Sequence, residues 1–428
     1  LGEVLIFSFI VFLILLFFGL SLNKITSKGI FKSVVPLLLS LILCGGISFG
    51  LWKFIVIIHP QYQDMLHGFT YNGYQYIGAF VLLNLWILFN VYTSSFKNDK
   101  PADVLIAPIF FWLVLNVLIH YYLQGAGFFI IPVYAALLIL AMSIFMNLET
   151  KAKPILFTIV SIPTLYIFAP MVKMFPVGLG LQSLFISAIF IVLIFVLITP
   201  IFFQPKSRKR VTKIIGFATV VVFFIATKNS GFSIDKKKPN SIVYIENSDD
   251  KSAYFGTYNT TLDAYTKQVF DDTAIKGSLS SAETKSKYNT RFTYHKKTPF
   301  KNLETATVLI KKDTLIGEQR HINLTVIPQR KVNKIEFVTK DSLSLSQFKV
   351  NGVLVHKHKP HRVKKGSFLV YHLGNQDKEI SLSFTVNKNE VLDLTFNEIS
   401  YDLLSNKNFS LQPRSETMMP MPFVTNDA

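Results

Sequence analysis

From residue 4 to residue 226 the chain is a succession of apolar runs, each parted from the next by a short polar break. Hydrocarbon offers a backbone no water to bond with. A crossing segment must therefore satisfy its own amides as a helix of about 20 mostly apolar residues. Residues 4–22, 34–58, 76–93, 104–123, 128–146, 155–170, 181–203 and 214–226 meet or approach that length. They predict an α-helical multi-pass bundle of about eight spans, filling residues 1–227. The sixth run is the weakest, because it is short and carries Pro163. It reads as a kinked or re-entrant helix.

Half of the residues are hydrophobic and 40 are Phe, a bias foreign to soluble proteins. It averages over two unlike halves. Residues 228–240 read as a linker, and 241–428 have ordinary globular composition, long enough to bury one core or two small ones. The formal net charge is +18. No nucleic-acid recognition motif accompanies it, so nucleic acid is set aside as a partner. The bilayer itself is the partner that the composition demands, with the basic residues serving cytoplasmic loops and a domain able to rest on anionic lipid. Cys44, inside the second run, is the single cysteine, which rules out an intrachain disulfide and a cysteine-based metal site. The chain starts at Leu1 rather than Met and stops at Asn426-Asp427-Ala428; both ends read as cuts in a longer protein.

Loop charge orients the bundle, because Lys and Arg are retained on the cytoplasmic side. Lys24, Lys28 and Lys32 follow the first run, Lys97 and Lys100 the third, and Lys151 and Lys153 the fifth. Lys206, Arg208, Lys209, Arg210 and Lys213 follow the seventh. The intervening breaks hold only Lys173. Alternation of this kind predicts that residue 1 and the whole C-terminal half lie outside the cytoplasm, at a cell (inner) membrane. Lys228 and Lys236–Lys238 oppose that reading, but long translocated domains largely escape the charge rule.

Polar residues in or beside the spans are the next candidates. Lys53 reads as a snorkelling side chain at the outer end of its helix. Asn84, Asn90 and Asn116 could line a substrate path, but interhelical hydrogen bonds are the commoner use. His59, Asp64, His67 and His120 fall near the outer surface, in a spacing that matches no metal-ligand pattern. Gly46-Ile47-Ser48-Phe49-Gly50 copies a serine-hydrolase elbow as a string, yet lies inside an apolar run with no strand before it. Its two glycines instead predict close helix–helix packing. No span carries Asp, Glu or Arg near its middle, which disfavours ion-coupled transport.

Past residue 241 the pattern changes to alternation. Residues 241–246, 253–258, 291–295, 305–311, 322–327 and 334–339 read as strands. Asn351-Gly352 predicts a hairpin, since both residues tolerate positive φ. Ile380, Leu382, Phe384 and Val386 alternate with polar residues, as do Leu392, Leu394 and Phe396, predicting a second hairpin about Asn387–Asn389. Residues 262–270 alone suggest a helix, capped by Thr261. The whole predicts an all-β, sandwich-like domain. His356, His358 and His361 share a stretch with Lys357, Lys359, Arg362, Lys364 and Lys365. Those charges oppose a metal cation and favour a solvated basic loop or a patch for lipid or an acidic partner. Asp249, Asp250, Asp271 and Asp272 read as solvated turn residues.

Certain segments resemble a known family. Pro239-Asn240-Ser241-Ile242-Val243-Tyr244, Ala253-Tyr254-Phe255 and Leu262-Asp263-Ala264-Tyr265-Thr266 resemble the post-membrane domain of multi-pass bacterial metallopeptidases. These are relatives of the vacuolar membrane protease and the endoplasmic reticulum metallopeptidase. Pro413-Arg414, the segment from Met418 to Val424, and Asn426-Asp427 resemble the same family's ending. The resemblance implies an extracytoplasmic di-zinc aminopeptidase-type domain ahead of the spans, cleaving peptide or protein substrates at two zinc ions. None of its catalytic or zinc-binding motifs can be placed on residues 1–428. No catalytic, cofactor-binding or metal residue is therefore assigned to this stretch, and zinc is expected only in the domain it lacks. The competing readings are a transporter, a lipid-linked glycosyltransferase with an external β-domain, or a structural scaffold. A transferase wants carboxylates in the first outer loop, where only Asp64 stands.

Overall fold

The computed structural model describes residues 2–96, 100–146, 152–202, 205–279, 290–355, 360–374 and 379–428. Lys97, Lys151, His356 and His358 lie outside them, as do Lys357 and Lys359. The chain divides into two compact units, 1–232 and 233–428.

Unit one holds α1 (Gly2–Ser21), α2 (Ser27–Ile58), α3 (Gly73–Ser95), α4 (Pro101–Tyr122), α5 (Ile131–Phe145), α6 (Ala152–Leu179), α7 (Leu184–Ile198) and α8 (Pro205–Lys228). Among the described residues eight helices are long and apolar enough to cross a membrane, α5 and α7 being lengthened by 3₁₀ turns. The protein is thus a multi-pass membrane protein. Outward-facing Ile, Leu and Phe clothe α1, α2, α6 and α8, as contact with lipid tails requires.

The sixth span is neither short nor re-entrant. It is one continuous helix of 28 residues that runs through Pro163, Pro170 and Pro176. A proline frees the carbonyl four residues back, and membrane helices keep such prolines where a neighbour takes up that carbonyl. Pro176 frees Val172, and Ser187 of α7 donates its hydroxyl there at 2.8 Å.

The polar breaks sort to two ends of the bundle. At one end the Thr26 amide donates to Asp103 Oδ1 at 2.8 Å, its hydroxyl donates to Oδ2 at 3.1 Å, and Lys100 Nζ donates to the Asn23 carbonyl. The first and third breaks are thereby tied together. At the other end Asn72 Nδ2 donates to the Ala226 carbonyl at 2.7 Å, an orphan of the last turn of α8. Leu181 N donates to the Gly68 carbonyl at 2.8 Å, joining the second and sixth breaks. The lysine-rich first and third breaks therefore share an end opposite the C-terminus of α8.

Unit two is antiparallel β almost throughout. Strands Leu343–Val350, Ile380–Asn387, Gln319–Ile327 and Thr307–Ile316 adjoin in that order, with Val353–Leu354 and His361–Val363 also paired to the first. Strands Gly366–His372, Lys334–Thr339 and Leu394–Ile399 form a second sheet. Both share one apolar core containing Ile335, Phe337, Phe348, Leu382 and Phe384, which makes a sandwich. The Asn351-Gly352 turn is as predicted, with φ of +48° and +80° and Val353 opposite Val350. The second predicted hairpin does not form. Ile380–Asn387 pairs with Gln319–Ile327 and Leu343–Val350, whereas Leu394–Ile399 pairs with Lys334–Thr339 in the facing sheet. Alternation marks which face of a strand is buried and is silent about its neighbour. The two strands face the same core from opposite layers.

Thr307–Ile316 is an edge strand exposed along its length. A bulge between Ile310 and Lys312 interrupts it, and Lys311 and Lys312 sit there, both devices that blunt edge-to-edge pairing.

A four-stranded sheet, with Val243–Asn247, Ser252–Thr257, Tyr294–Thr298 and Ile275–Lys276 in spatial order, covers a separate small core around Ile242, Tyr265, Phe270 and Leu403. Beside it Lys238–Asn240, within the stretch read as a linker, pairs in parallel with Met418–Pro420. The predicted helix 262–270 is only a 3₁₀ turn, Thr266–Gln268. Asp263, not Thr261, organises it. Its Oδ1 accepts from the amides of Tyr265 and Thr266 at 3.1 and 3.0 Å, while Thr266 Oγ1 accepts from the Asp263 amide at 2.7 Å. That reciprocal cap holds one turn, and nothing propagates it.

Candidate functional site

The densest polar cluster of the β half forms where the start of the unit, the Asp263 turn and the last residues of the chain converge. Arg414 is the hub. Its Nη1 and Nη2 donate to the two carboxylate oxygens of Asp427, both at 2.7 Å, in the bidentate geometry that suits a planar guanidinium. Nε donates to Asn240 Oδ1, and Nη2 also reaches the Asn240 carbonyl at 3.2 Å. The guanidinium lies 4.2 Å from the centre of the Tyr265 ring, whose hydroxyl donates to Asp427 Oδ1 at 3.0 Å. The Arg414 and Asp427 side chains are only 8% and 19% exposed, so the pair is largely dry.

A second pair abuts the first. Lys238 Nζ lies 3.1 Å from Asp263 Oδ2, and Asn240 Nδ2 donates to the same oxygen at 3.2 Å, bridging the two pairs. Burial alone would raise the Asp263 pKa. The Thr266 amide and then the Lys238 ammonium outweigh it, holding the carboxyl below its usual range. Burial pushes the Tyr265 hydroxyl up, so it stays a donor.

The main chain completes the closure. Asn426 Nδ2 donates to the Asn240 carbonyl at 2.9 Å, the Asp427 amide donates to the Ile242 carbonyl at 3.0 Å, and the Tyr244 amide donates to the Ala428 carbonyl at 2.8 Å. Ser241, Thr257 and Asn259 extend the network inward, with the Ser241 amide donating to Asn259 Oδ1 at 2.8 Å. Each charge here meets its complement and each carboxylate is used. Chemically the cluster is a fastener.

No sequence rule marks Arg414 and Asp427 as functional, although both stand in segments that resemble the metallopeptidase family. So do Asn240, Asp263, Tyr265 and Asn426, and the fold brings all six into this cluster. The signal was present as short motifs. What it lacked was any indication that they touch.

The other candidates stay apart. Asn84 is buried and donates to Ser48 Oγ at 3.0 Å and to the Phe80 carbonyl at 2.7 Å, an interhelical bond. Asn116 bonds the Trp112 and Phe129 carbonyls at 2.9 and 3.1 Å, and Asn90 the Trp86 carbonyl at 2.7 Å. Lys53 is exposed, its Nζ 5.7 Å from the Phe49 ring centre. His59 lies against Tyr62 and His120 against Tyr121, both with ring centres 5.3 Å apart. Asp64 is fully buried rather than offered to solvent. His361 stacks on Phe348 with ring centres 5.8 Å apart. Among the described residues no three metal-capable side chains gather. The glycine pair corrects its expectation, since a Cβ added at Gly46 or Gly50 meets nothing within 4 Å. Among the described residues the pair packs against no helix, while Cys44 and Ser48 face inward.

Asp271 is exposed, and the Lys296 ammonium at 2.6 Å is the chief cause holding its carboxyl far below the usual range. Lys296, Lys301, Phe255, Gln268 and Phe409 line an open groove of about 340 Å³ on the small lobe.

Fold and site together define a multi-pass membrane protein that carries a two-core β domain closed by its own tail. Comparison with family models, with curated proteins and with solved structures found no match.

Proposed function

We propose that this chain is the membrane-anchoring and β-domain portion of a membrane-bound zinc-dependent peptidase, with proteolysis carried out by residues outside this sequence. The observation that carries the reading is the convergence on Arg414. The short segments that resemble the metallopeptidase family lie at the two ends of the β half, and residues from most of them meet in one interlocked cluster. Such motifs read as the fastening of a particular domain rather than as scattered coincidences. On this reading the spans hold the enzyme in the bilayer, and the β domain presents or recognises peptide substrates. The groove beside Phe255 and Phe409, with lysines at its rim, offers a surface to an acidic or aromatic peptide side chain. Residue 1 and the β domain lie on the extracytoplasmic face of a cell membrane. What supports that topology is the gathering of the lysine-rich first and third breaks at the end opposite the C-terminus of α8.

The test is a peptidase assay of the protein purified as its gene encodes it, with and without a zinc chelator. The reading expects cleavage that chelation abolishes and added zinc restores. Cleavage indifferent to the chelator, or none by the zinc-loaded protein, overturns it.

A further inference from the structure

α8 is the least buried of the eight spans, and α3 packs along one side of it. The two helices run antiparallel. Gly216 meets Trp86, the Phe223 and Phe80 rings lie 5.3 Å apart, and the Ala226 carbonyl accepts from Asn72. The Trp86 contact is made by the N–H edge of the indole. A Cβ at Gly216 would stand 2.7 Å from Nε1 and 2.9 Å from Cδ1, so the ring lies where any other residue would put a side chain.

Lys209, Lys213, Gly216, Val220 and Phe224 follow one another at steps of four, three, four and four, which sets them on one side of α8. Lys209 and Lys213 are exposed, at the end of the bundle that carries the lysine-rich breaks. Phe217, Val220 and Phe224 are exposed below them. From Lys213 to Phe224 the helix rises about 16 Å at 1.5 Å per residue, close to one leaflet's half of the ~30 Å hydrocarbon core. Trp86 sits one turn inside Lys213, at the interfacial depth where tryptophan is enriched. The flank thus follows the outline of a phospholipid, with cations at headgroup level, an indole at the interface and apolar side chains beneath. No Asp or Glu stands on α3 or α8, so the two lysines are unmatched on these helices.

A second copy suits this flank poorly. Two copies in one bilayer point the same way, and flank against flank they would set Lys209 and Lys213 of each at the same height, where like charges repel. A zwitterionic headgroup offers a phosphate but adds a cation of its own. An anionic phospholipid brings net negative charge, which basic groups beside transmembrane helices take up. We propose that Lys209 and Lys213, above the Trp86–Gly216 contact, bind the headgroup of an anionic phospholipid whose acyl chain lies along Phe217, Val220 and Phe224. The site depends on the spans crossing a bilayer and is independent of proteolysis.

The experiment places the full chain in phosphatidylcholine nanodiscs that carry a minority of brominated phosphatidylglycerol or, in parallel, brominated phosphatidylcholine. Bromine on an acyl chain quenches a tryptophan that it touches. Trp86 is 40% exposed, whereas Trp52 and Trp112 are 6% and 0%, so quenching reports this flank. Phosphatidylglycerol is expected to bind about 25-fold more tightly, about fivefold from each lysine. Lys209→Gln and Lys213→Gln should each lower that preference about fivefold, and together abolish it. Lys24→Gln with Lys28→Gln, which removes equal charge from the same end, should leave it intact. Equal quenching by the two lipids overturns the proposal, as does a preference that survives the α8 double variant. A preference that falls equally in the Lys24 and Lys28 variant marks bulk surface charge and overturns it too. So does quenching by neither lipid, which means that a second copy covers the flank. Reversal by glycerol phosphate in solution means a site for free phosphate, and equally sinks the lipid site.

Discussion

Buried polar groups are handled differently in the two halves. In the helical unit the hydroxyls within the spans settle close to home, and long reaches such as Thr26 to Asp103 and Asn72 to Ala226 lie at the ends of the bundle. Ser161 and Thr199 donate to carbonyls four residues back, and Asn84 shares its amide between its own helix and the next. In the β unit the equivalent bonds span most of the domain. Arg414 reaches Asn240 across 174 residues, and Asn426 reaches the same residue across 186. The contrast follows from the solvent. A segment facing hydrocarbon must be self-sufficient, because lipid supplies no partner while the chain assembles. A domain folding in water can leave its polar groups hydrated until distant partners arrive.

That difference can be broken or sharpened by substitution. The largest effect should follow Arg414→Ala, which strands Asp427 in a mostly dry pocket and unhooks Asn240. Removing one partner of a buried pair costs about 3–5 kcal/mol. Chemical denaturation, followed by a probe in the small lobe, should record that loss. A change under about 1 kcal/mol would mean that the pair behaves as an ordinary surface bridge.

Next comes a contrast within one helix. A Cβ at Gly29 would stand 2.2 Å from Asp103 Cγ, so Gly29→Ala must push apart the junction of α2 and α4, at about 1–3 kcal/mol. Gly46→Ala and Gly50→Ala enter open space and should change stability by no more than about 0.5 kcal/mol. Melting temperatures in detergent would separate the two classes. Equal effects would refute the difference in packing.

The smallest effect is one of pH. The Asp263 carboxyl is depressed in the folded state, so its contribution is fully present above the unfolded pKa of about 3.9. It is lost as pH falls through the lower, folded value. Asp263→Asn should therefore be less stable than the native protein at neutral pH, with the gap narrowing as the medium is acidified below about 4. A gap that stays constant down to pH 2 would assign the loss to the Asx turn alone.

The same contrast explains what could be read in advance. Each span announces itself because crossing lipid demands a local pattern, and even α6, with its three prolines, kept enough apolar length to be found. Strand faces were legible from alternation, as at Ile380 and Leu382, both fully buried. Strand partners were not, because Ile380 and Leu394 carry the same pattern and belong to facing sheets. Residues 262–270 read as a helix behind Thr261, yet Asp263 competes for the first amides and stops the helix after one turn. The fastener was the least legible feature. No local rule says that an arginine twelve residues from Asn426 will find it, or that both will close on Asn240.

The parallel pairing of Lys238–Asn240 with Met418–Pro420 also sets a clock. A ribosome adding about 5–20 residues per second delivers Arg414 roughly 9–35 s after Asn240. Throughout that interval Ile242 and Tyr244 lack the tail that caps them, while the helices ahead are already made. The small lobe is thus born open. Apolar surface left uncapped during synthesis is the kind that aggregates, and for this lobe its exposure falls in those seconds.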